Sequence, residues 1–369
     1  MTPAWKAVTP SRVIGRVGKW MIIVRYLAVG AAVAFSATPS LGASFDCAKA
    51  QTPFEHAICE APELSRADEV LAKAFATAIG GLTEGSVRAM REDQRNWLDF
   101  AQRACTADAR PLTQGRYDED GASCLLEKFN GRIAALEQSR MISGHRFLIK
   151  SAYGAVPDPD EVDVPDSYWK VATHEMVLPL LDADYPIAEG FNAFVLKDAD
   201  DVSETTGISV EGDLSAVDGR TDNASTISIQ EVAGTGRISL MENSYYYPHR
   251  AAHGGSMITY RHYLVGEERG LEAGDLFSGV DWEKTLVDLA WAQLQLQHEE
   301  WLQVDSAQEI AQIVIDPARW DLSDGYGLTI QFNQYEVAAY AYGTPTITIP
   351  WNKLEAITAE NHTAVLYGF

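Results

Sequence analysis

Two patterns of apolar residues divide the chain. Up to about residue 140, apolar residues recur every three or four positions, which is the spacing of one buried helix face. From about residue 167, short runs rich in Val, Ile, Thr and Tyr alternate with clusters of Gly, Asp and Asn, a pattern typical of strands and turns. We therefore predict an α+β protein, in which a small all-α N-terminal domain precedes an antiparallel sheet covered by helices.

The helix boundaries of the first part are marked by capping residues. Thr52 precedes Pro53 and Glu55 in the order of a capping box, so a helix is predicted to begin there. Ser65 is predicted to start a second helix in the same way, and Gly80 and the glycine after it to end it. Two further buried helix faces are predicted, comprising Val87, Met90, Trp97, Leu98, Ala101 and Cys105, and then Leu125, Phe129, Ile133 and Leu136.

The second part is predicted to be mostly strands. A helix is expected from Asp281 to about Gln297, and a short closing helix from Pro350. The predicted strands are THEMVLPLL, FNAFVLKD, TGISVEG, STISIQEV, GRISLMENSYYY, SMITYRHYLV, GLTIQF and TPTITIP.

The chain is predicted to begin with an export signal. Residues 1–43 contain five basic and no acidic residues, then the apolar run YLAVGAAVAF and a stretch of small residues. This order is typical of a secretory signal peptide cut near Ala43. A membrane anchor is the alternative, although a spanning helix needs about 20 apolar residues. The mature protein is expected in the periplasm or secreted, with no membrane insertion after cleavage.

The remaining residues divide into three predicted segments. Residues 44–138 form the helical domain and residues 167–369 the sheet domain. Between them, residues 139–166 show no clear period and include the proline and acid tract PDPDEVDVPD, so a linker is predicted.

Four cysteines, all within the predicted helical domain, indicate disulfides in an oxidising compartment. Cys47, Cys59, Cys105 and Cys124 allow three pairings, among which the sequence does not choose. Loop closure favours Cys47 with Cys59 and Cys105 with Cys124, because short loops close at lower entropic cost. The wide, irregular spacing differs from that of paired zinc knuckles.

The charge is strongly and unevenly negative. The chain has 29 basic and 52 acidic residues, a net charge of -23, and the part after residue 140 holds 36 acidic and 12 basic residues. Such a field would repel the phosphates of nucleic acid and favour encounters with basic proteins. The alternative is that an acidic surface simply keeps the protein soluble.

The cysteine-containing part resembles the LprI-type lysozyme-inhibitor family. The resemblance is carried by FDCAKAQTPFEHAICEAPELSRADEVLAKAF, EDQRNWLDFAQRAC and CLLEKFNGRIAALE, in this order and spacing, and it covers about a quarter of the chain. The loop before Cys124 is longer than this family would lead one to expect. The resemblance implies a helical fold and a lysozyme as the partner.

The last part resembles the C-terminal domain of RsiV-type anti-sigma factors. The resemblance is carried by Asp275-Leu276-Phe277, and by Tyr335-Glu336-Val337 leading to Tyr340, Gly343 and Pro350. This sequence has Ala339 where that family tends to have a proline. The resemblance implies an extracytoplasmic receptor module that binds lysozyme.

Tyrosines are the best candidates for a binding surface. Tyr335, Tyr340, Tyr342 and Gly343 are predicted to contribute, with the loop from Tyr340 to Pro345 forming part of the surface. Interfaces favour large, rigid side chains that have a polar tip. The alternative is that these tyrosines only cover the sheet. A further tyrosine-rich region contains Tyr245, Tyr246, Tyr247, Tyr260 and Tyr263.

No enzymatic site is predicted. The chain has no G-x-S-x-G, H-E-x-x-H or P-loop motif, and no carboxylate pair stands out in so acidic a sequence. His249 and His253 have the i, i+4 spacing of a metal pair, but they lie between Pro248 and Gly254, where a helix is improbable. We therefore expect neither a cofactor nor a metal.

Two functions remain from different classes. The first is an exported lysozyme inhibitor or lysozyme-binding protein that acts by occupying the cleft of the enzyme. The alternative is a sensory or enzyme-associated envelope module that binds glycan or another protein without inhibiting lysozyme. A peptidoglycan hydrolase or deacetylase has no supporting catalytic set in this sequence. The sequence does not predict an oligomeric state.

Overall fold

The N-terminal part of the fold is helical. The computed structural model describes residues 43–369, except the side chains of residues 198–206, so the predicted signal peptide lies outside the described residues apart from Ala43. The four helices of this part are α1 (Pro53–Glu60), α2 (Pro62–Ala78), α3 (Glu84–Ala104) and α4 (Glu119–Leu136).

The first helix begins as predicted, and the second begins four residues earlier than predicted. The Thr52 hydroxyl accepts a hydrogen bond from the Glu55 amide, and the Glu55 carboxylate accepts one from the Thr52 amide at 2.9 Å. Helix α2 instead begins at Pro62, whose fixed φ suits the first helical position. Ser65 is therefore a buried residue inside the helix and not its cap.

Seven strands form the central sheet in chain order. Neighbouring strands are antiparallel except β3 and β4, which pair in parallel and are joined through helix α5 (Ala188–Thr206). The strands are β1 (Met141–Ile142), β2 (His145–Pro157), β3 (Val171–Leu181), β4 (Thr221–Ala233), β5 (Arg237–Pro248), β6 (Gly255–Leu264) and β7 (Arg269–Gly270).

The segment predicted as a linker, residues 139–166, contains strand β2. This strand shows no clear period because it is covered on both faces: Ile149 faces the helical part, while Ala152 faces α5. A strand buried on both faces lacks the alternation that marks a half-exposed strand. The proline and acid tract forms the connection between β2 and β3.

Two of the predicted strands are wrong. FNAFVLKD lies in α5, where the buried residues Ala188, Phe191 and Val195 follow each other at three and four positions, which is a helical period. TGISVEG forms a turn in which Ile208 is buried.

The C-terminal part adds a small second sheet and short helices. The sheet is antiparallel in the order β10–β9–β8, and the predicted helix near Asp281 is α7. The elements are α6 (Ala273–Leu276), α7 (Trp282–His298), α8 (Ala307–Val314), β8 (Trp320–Asp321), β9 (Gly327–Gln331), β10 (Thr346–Pro350), α9 (Trp351–Leu354) and α10 (His362–Tyr367).

The core of the helical part includes residues of the sheet. Trp97 packs edge-on against Phe129 at a ring-centroid distance of 5.1 Å, and Leu148, Ile149 and Val177 belong to the same buried cluster. The four helices thus complete their core against β2 and β3. The C-terminal part has a separate apolar core.

Polar contacts reinforce this seam between helices and sheet. Buried Arg132 donates hydrogen bonds to Asp93 at 2.5 Å and to the Tyr153 hydroxyl at 3.0 Å, and Asp93 accepts a further bond from the Ser151 amide at 2.7 Å. Asp93 on α3 and Arg132 on α4 therefore bind each other, and each also binds a group on β2.

Two disulfides brace the helical part. Cys47 is bonded to Cys59 and Cys105 to Cys124, which is the pairing that loop length favours. Among residues 43–369, no helix is both long and apolar enough to cross a membrane.

Candidate binding surface

Three of the exposed or half-exposed aromatic rings form a group next to the start of β6. The His253 imidazole stacks on the Tyr340 ring at a centroid distance of 3.8 Å, and the Tyr335 ring lies 5.6 Å from that of Tyr340. The Tyr335 hydroxyl lies 3.2 Å from His253 Nε2. We call Tyr335, Tyr340 and His253 the tyrosine cluster.

Tyr335 is held in a backbone conformation that is unusual for its residue type. Its φ of 67° lies in the left-handed region, which a bulky residue rarely adopts. The turn is fixed by Glu336, whose carboxylate accepts a hydrogen bond from the Asn333 amide at 2.6 Å. The same carboxylate binds Arg319 through two nitrogens, at 2.7 and 3.1 Å. The turn therefore presents a Tyr335 ring that is 61% exposed.

The loop from Tyr340 to Gly343 lies between two groups of aromatic side chains. Tyr340–Tyr342 form one short 3-10 turn, which ends at Gly343 with φ 80° and ψ -137°. This conformation requires a residue without a Cβ atom. Tyr342 points to the second group: its hydroxyl lies 2.7 Å from His298 Nδ1, and its ring stacks on Trp301 at 5.3 Å. We call Tyr342, His298 and Trp301 the Trp301 group.

The tyrosines of β5 and β6 divide into exposed and buried residues. Tyr245 and Tyr246 are about half exposed, at 45% and 52%, whereas Tyr260 and Tyr263 are buried. A Cβ atom on Gly254 would meet the Tyr245 ring, so this glycine lets the ring lie close to the chain. Burial first, and then the nearby Asp222 and Tyr340, raise the pKa of the Tyr245 hydroxyl.

The structure brings together only part of the predicted surface. Tyr335 and Tyr340 are neighbours, Tyr342 belongs to a different group, and Gly343 ends the turn between them. Sequence reasoning missed His253 and Trp301 as members of the surface. Trp301 carries a weak signal in the sequence, since it directly follows Glu299 and Glu300 just after the end of α7, and the structure leaves it 58% exposed.

His249 and His253 have separate environments. The side chain of His249 is 3% exposed, with Nδ1 2.6 Å from Asp158 and Nε2 3.4 Å from Asp222, whereas His253 is exposed in the tyrosine cluster. Burial would raise the pKa of Asp158, but hydrogen bonds from His249 and backbone amides outweigh it, so the pKa lies below its ordinary value. Within the described residues, no group of three or more His, Cys, Asp or Glu side chains is arranged to hold a metal ion.

The tyrosine cluster and the Trp301 group offer flat apolar faces with hydroxyl and imidazole edges. Such rings contribute large contact areas at low cost in side-chain entropy, and their polar edges give direction to the contact. Both groups suit the recognition of a macromolecular surface.

Two family models match separate parts of the chain. Residues 47–136 match the model of the lysozyme inhibitor LprI, and residues 274–352 match that of DUF3298, a protein family of unknown function. The first match includes all four cysteines, and the second includes Tyr335, Tyr340, Tyr342 and Gly343. The match is to DUF3298, so the RsiV-type resemblance stays a prediction.

Solved structures show a distant similarity. A crystal structure of a DUF3298 family member from Bacteroides fragilis is 16% identical with a TM-score of 0.42, and the match covers 61% of this chain and 98% of that one. A DUF3298 family protein from Pseudomonas aeruginosa is 14% identical with a TM-score of 0.42, covering 60% of this chain and 98% of that one. No curated protein matches the chain. The chain thus joins an LprI-like helical region to a DUF3298-like region.

Proposed function

We propose that this protein is an exported cell-envelope protein that binds and inhibits lysozyme. The observation that carries the proposal is the match of residues 47–136 to the lysozyme inhibitor LprI, the region that contains both disulfides. Structural disulfides are typical of proteins that work outside the cytosol. The C-terminal region is proposed to act as an RsiV-type receptor surface for the same partner.

Charge supports this choice of partner. The part of the chain after residue 140 holds three acidic residues for every basic one, and lysozymes are often strongly basic. Opposite charges would speed the encounter, and the exposed aromatic rings would supply the short-range contacts that hold the complex. The protein would block the cleft of the enzyme by occupying it, without chemistry of its own.

A lysis assay tests the proposal directly. The purified protein is mixed with hen-type and invertebrate-type lysozymes, and the turbidity of a cell-wall suspension is followed over time. We expect slower lysis with at least one class, and weaker inhibition at high salt because screening reduces the attraction. If no lysozyme is bound and none is slowed, the proposal is wrong.

Replacement of the loop tyrosines locates the contact. The double variant Tyr340→Ala and Tyr342→Ala is expected to weaken lysozyme binding by about tenfold or more, as removal of aromatic anchors does at interfaces. Tyr168→Ala is the matched control, because Tyr168 is 88% exposed in the loop between β2 and β3. Calorimetric titration gives the affinities. Undiminished binding of the double variant would exclude this loop.

The second candidate function gives a different result in the same assays. A sensory or enzyme-associated module would bind a glycan or another protein and would leave lysozyme unaffected. Calorimetric binding of a cell-wall glycan, together with no binding of lysozyme and an unchanged rate of lysis, would favour this alternative.

A further inference from the structure

A cleft of about 650 Å³ lies along one edge of β2. Helix α3 forms one wall, and the turn at residues 210–214 forms the other. The floor is the strand itself, from Leu148 to Ala155. The cleft contains none of the residues of the tyrosine cluster, and its floor is formed by a strand.

The direction of each β2 backbone group follows from the strand pairing. The register with β3 is unbroken from Phe147↔Leu181 to Pro157↔Val171. In an antiparallel pair, alternate residues direct both N–H and C=O to the same side. The amides of Phe147, Ile149 and Ser151 donate to groups outside β3, so the odd-numbered residues of this strand face the cleft edge.

The first half of this edge is closed by hydrogen bonds. The Phe147 amide donates to the Arg140 carbonyl at 3.0 Å, that of Ile149 to the Ser139 hydroxyl at 3.1 Å, and that of Ser151 to Asp93 at 2.7 Å. The structure closes part of the β6 edge in a similar way, since the amides of Ser256 and Ile258 donate to the side chains of Gln334 and Asn333 at 2.9 Å. Covered edges are protected from pairing with other chains.

The second half of the β2 edge is left open. The outward amides of Tyr153 and Ala155 have no hydrogen-bond partner in the part of the chain that the structure describes. Both belong to the cleft lining, and Pro157, the next outward residue, has no amide hydrogen to donate. Two residues thus offer two N–H and two C=O groups to a further strand.

The open edge is held rigidly between its two walls. The Phe100 ring of α3 stacks on the Tyr153 ring at 5.0 Å, and Arg132 donates to the Tyr153 hydroxyl. On the other face, Leu214 lies over Gly154, where a Cβ atom would come within 2.4 Å of the leucine. The edge is therefore preorganised for pairing.

The walls carry more acidic than basic side chains. Asp93 is paired with buried Arg132, and Arg103 with Asp99. Lys150 is paired with Glu211. Within the part of the chain that the structure describes, Glu92 is exposed and takes part in no ion pair. The residues that line the cleft, four carboxylates against two cationic side chains, therefore favour a basic occupant.

We propose that the open edge of β2 is a docking groove for an extended, basic peptide segment of a partner protein, which adds to the sheet as an eighth strand. Main-chain hydrogen bonds to Tyr153 and Ala155 would supply affinity, and the acidic wall would select basic side chains. This site is independent of the proposed lysozyme contact at the tyrosine cluster.

Synthetic peptides test the groove. The probes are an octapeptide of alternating lysine and valine, its glutamate counterpart, and two lysine peptides N-methylated on one or the other alternate set of residues. We expect the lysine peptide to bind at least tenfold more tightly than the glutamate peptide. One methylated peptide should lose binding and the other should keep it, because a strand pairs through one edge only.

Hydrogen exchange gives a readout at single residues. Bound lysine peptide is expected to slow exchange of the Tyr153 and Ala155 amides by about tenfold or more, while the already paired amides of Ala152 and Gly154 change little. No binding of the lysine peptide, or binding without protection of Tyr153 and Ala155, would overturn the proposal.

Two variants with matched controls complete the test. Ala155→Pro removes an outward N–H without removing a bond to β3, and Ala155→Gly keeps that N–H. Glu92→Lys reverses a charge in the cleft wall, and Glu127→Lys makes the same change on the exposed side of α4. We expect binding to fall at least tenfold for Ala155→Pro and about fivefold for Glu92→Lys. Equal losses for the two lysine variants would overturn the groove, even if the proline variant does not fold.

Discussion

The seam between helices and sheet contrasts with the tyrosine cluster. At the seam, charged side chains are buried and each finds a partner: Arg132 contacts Asp93 and Tyr153. In the tyrosine cluster the side chains are exposed or half exposed, and the Tyr335 backbone is held in a left-handed conformation. The seam has the features of a structural element, and the cluster has those of a recognition element.

This contrast separates buried, paired polar groups from exposed aromatic rings along the chain. The buried Arg132–Asp93 ion pair and two disulfides fix the helical region, which has few exposed aromatic residues. The C-terminal region has a separate apolar core and presents rings at its surface. Variants at the seam should therefore change the free energy of unfolding, and variants in the cluster should change binding.

The largest effect is expected at the buried ion pair. Asp93→Ala leaves the Arg132 guanidinium buried without its carboxylate and should lower the free energy of unfolding by about 3–5 kcal/mol. Urea denaturation followed by circular dichroism measures this change. The double variant Asp93→Leu with Arg132→Met is the control, because it removes both charges and should cost far less. A small loss for Asp93→Ala would contradict the structural role of the pair.

An intermediate effect is expected at the second polar contact of the seam. Asp182 at the end of β3 accepts hydrogen bonds from the Thr83 amide and hydroxyl and from the Ser86 hydroxyl, at 2.7 to 2.8 Å. Burial alone would raise the pKa of Asp182, but these bonds and one from the Ala183 amide outweigh it, so the pKa is lowered. Asp182→Asn should therefore cost about 2 kcal/mol at neutral pH.

The pH dependence of that loss follows from the direction of the pKa shift. A carboxylate with a lowered pKa in the folded state stabilises the fold above its unfolded pKa of about 3.9 and loses this effect as the pH falls through its folded value. The difference in unfolding free energy between the original protein and Asp182→Asn should be constant at neutral pH and shrink below about pH 4. Urea titrations at several pH values measure it. A difference that persists in strong acid would assign the loss to packing.

The smallest and most discriminating effect is expected at Tyr335. Tyr335→Gly relieves the left-handed strain and should raise the free energy of unfolding by about 0.5–1 kcal/mol. The same variant should weaken the proposed binding of lysozyme, because the ring is lost. Tyr335→Ala is the matched variant, since it removes the same ring but keeps the strain. Thermal unfolding and calorimetric titration give the two quantities. A glycine variant that is both less stable and fully active would remove the distinction between the two regions.

The sequence predicted the four helices of the N-terminal part and most of the longer strands. Capping residues such as Thr52 and Glu55 identify a helix start locally, and β6 shows the composition of a strand. Strand β2 was missed because its periodicity depends on what covers its two faces, which is a tertiary property. Helix α5 was mistaken for a strand because a short apolar run fits either period when its neighbours are unknown.

The sequence proposes the candidate surface by residue type, but it does not give the arrangement of those residues. Tyr335 and Tyr340 belong together because the Glu336–Arg319 pair folds the turn, and no spacing in the sequence reveals this pair. His253 comes from the connection between β5 and β6, which is distant in sequence. Residues that meet only through the tertiary fold leave no local periodic signal.

Strand β2 also constrains the order of events during synthesis. The helices of residues 53–136 leave the ribosome before Leu148, Ile149 and Val177, which complete their core. N-terminal segments generally begin to fold while the chain is still growing. Whether the chain folds at the ribosome or after the proposed export, the helices alone leave an apolar surface uncovered until β3 has emerged, and a chaperone that shields this surface would act on chains that have emerged to between residues 136 and 181.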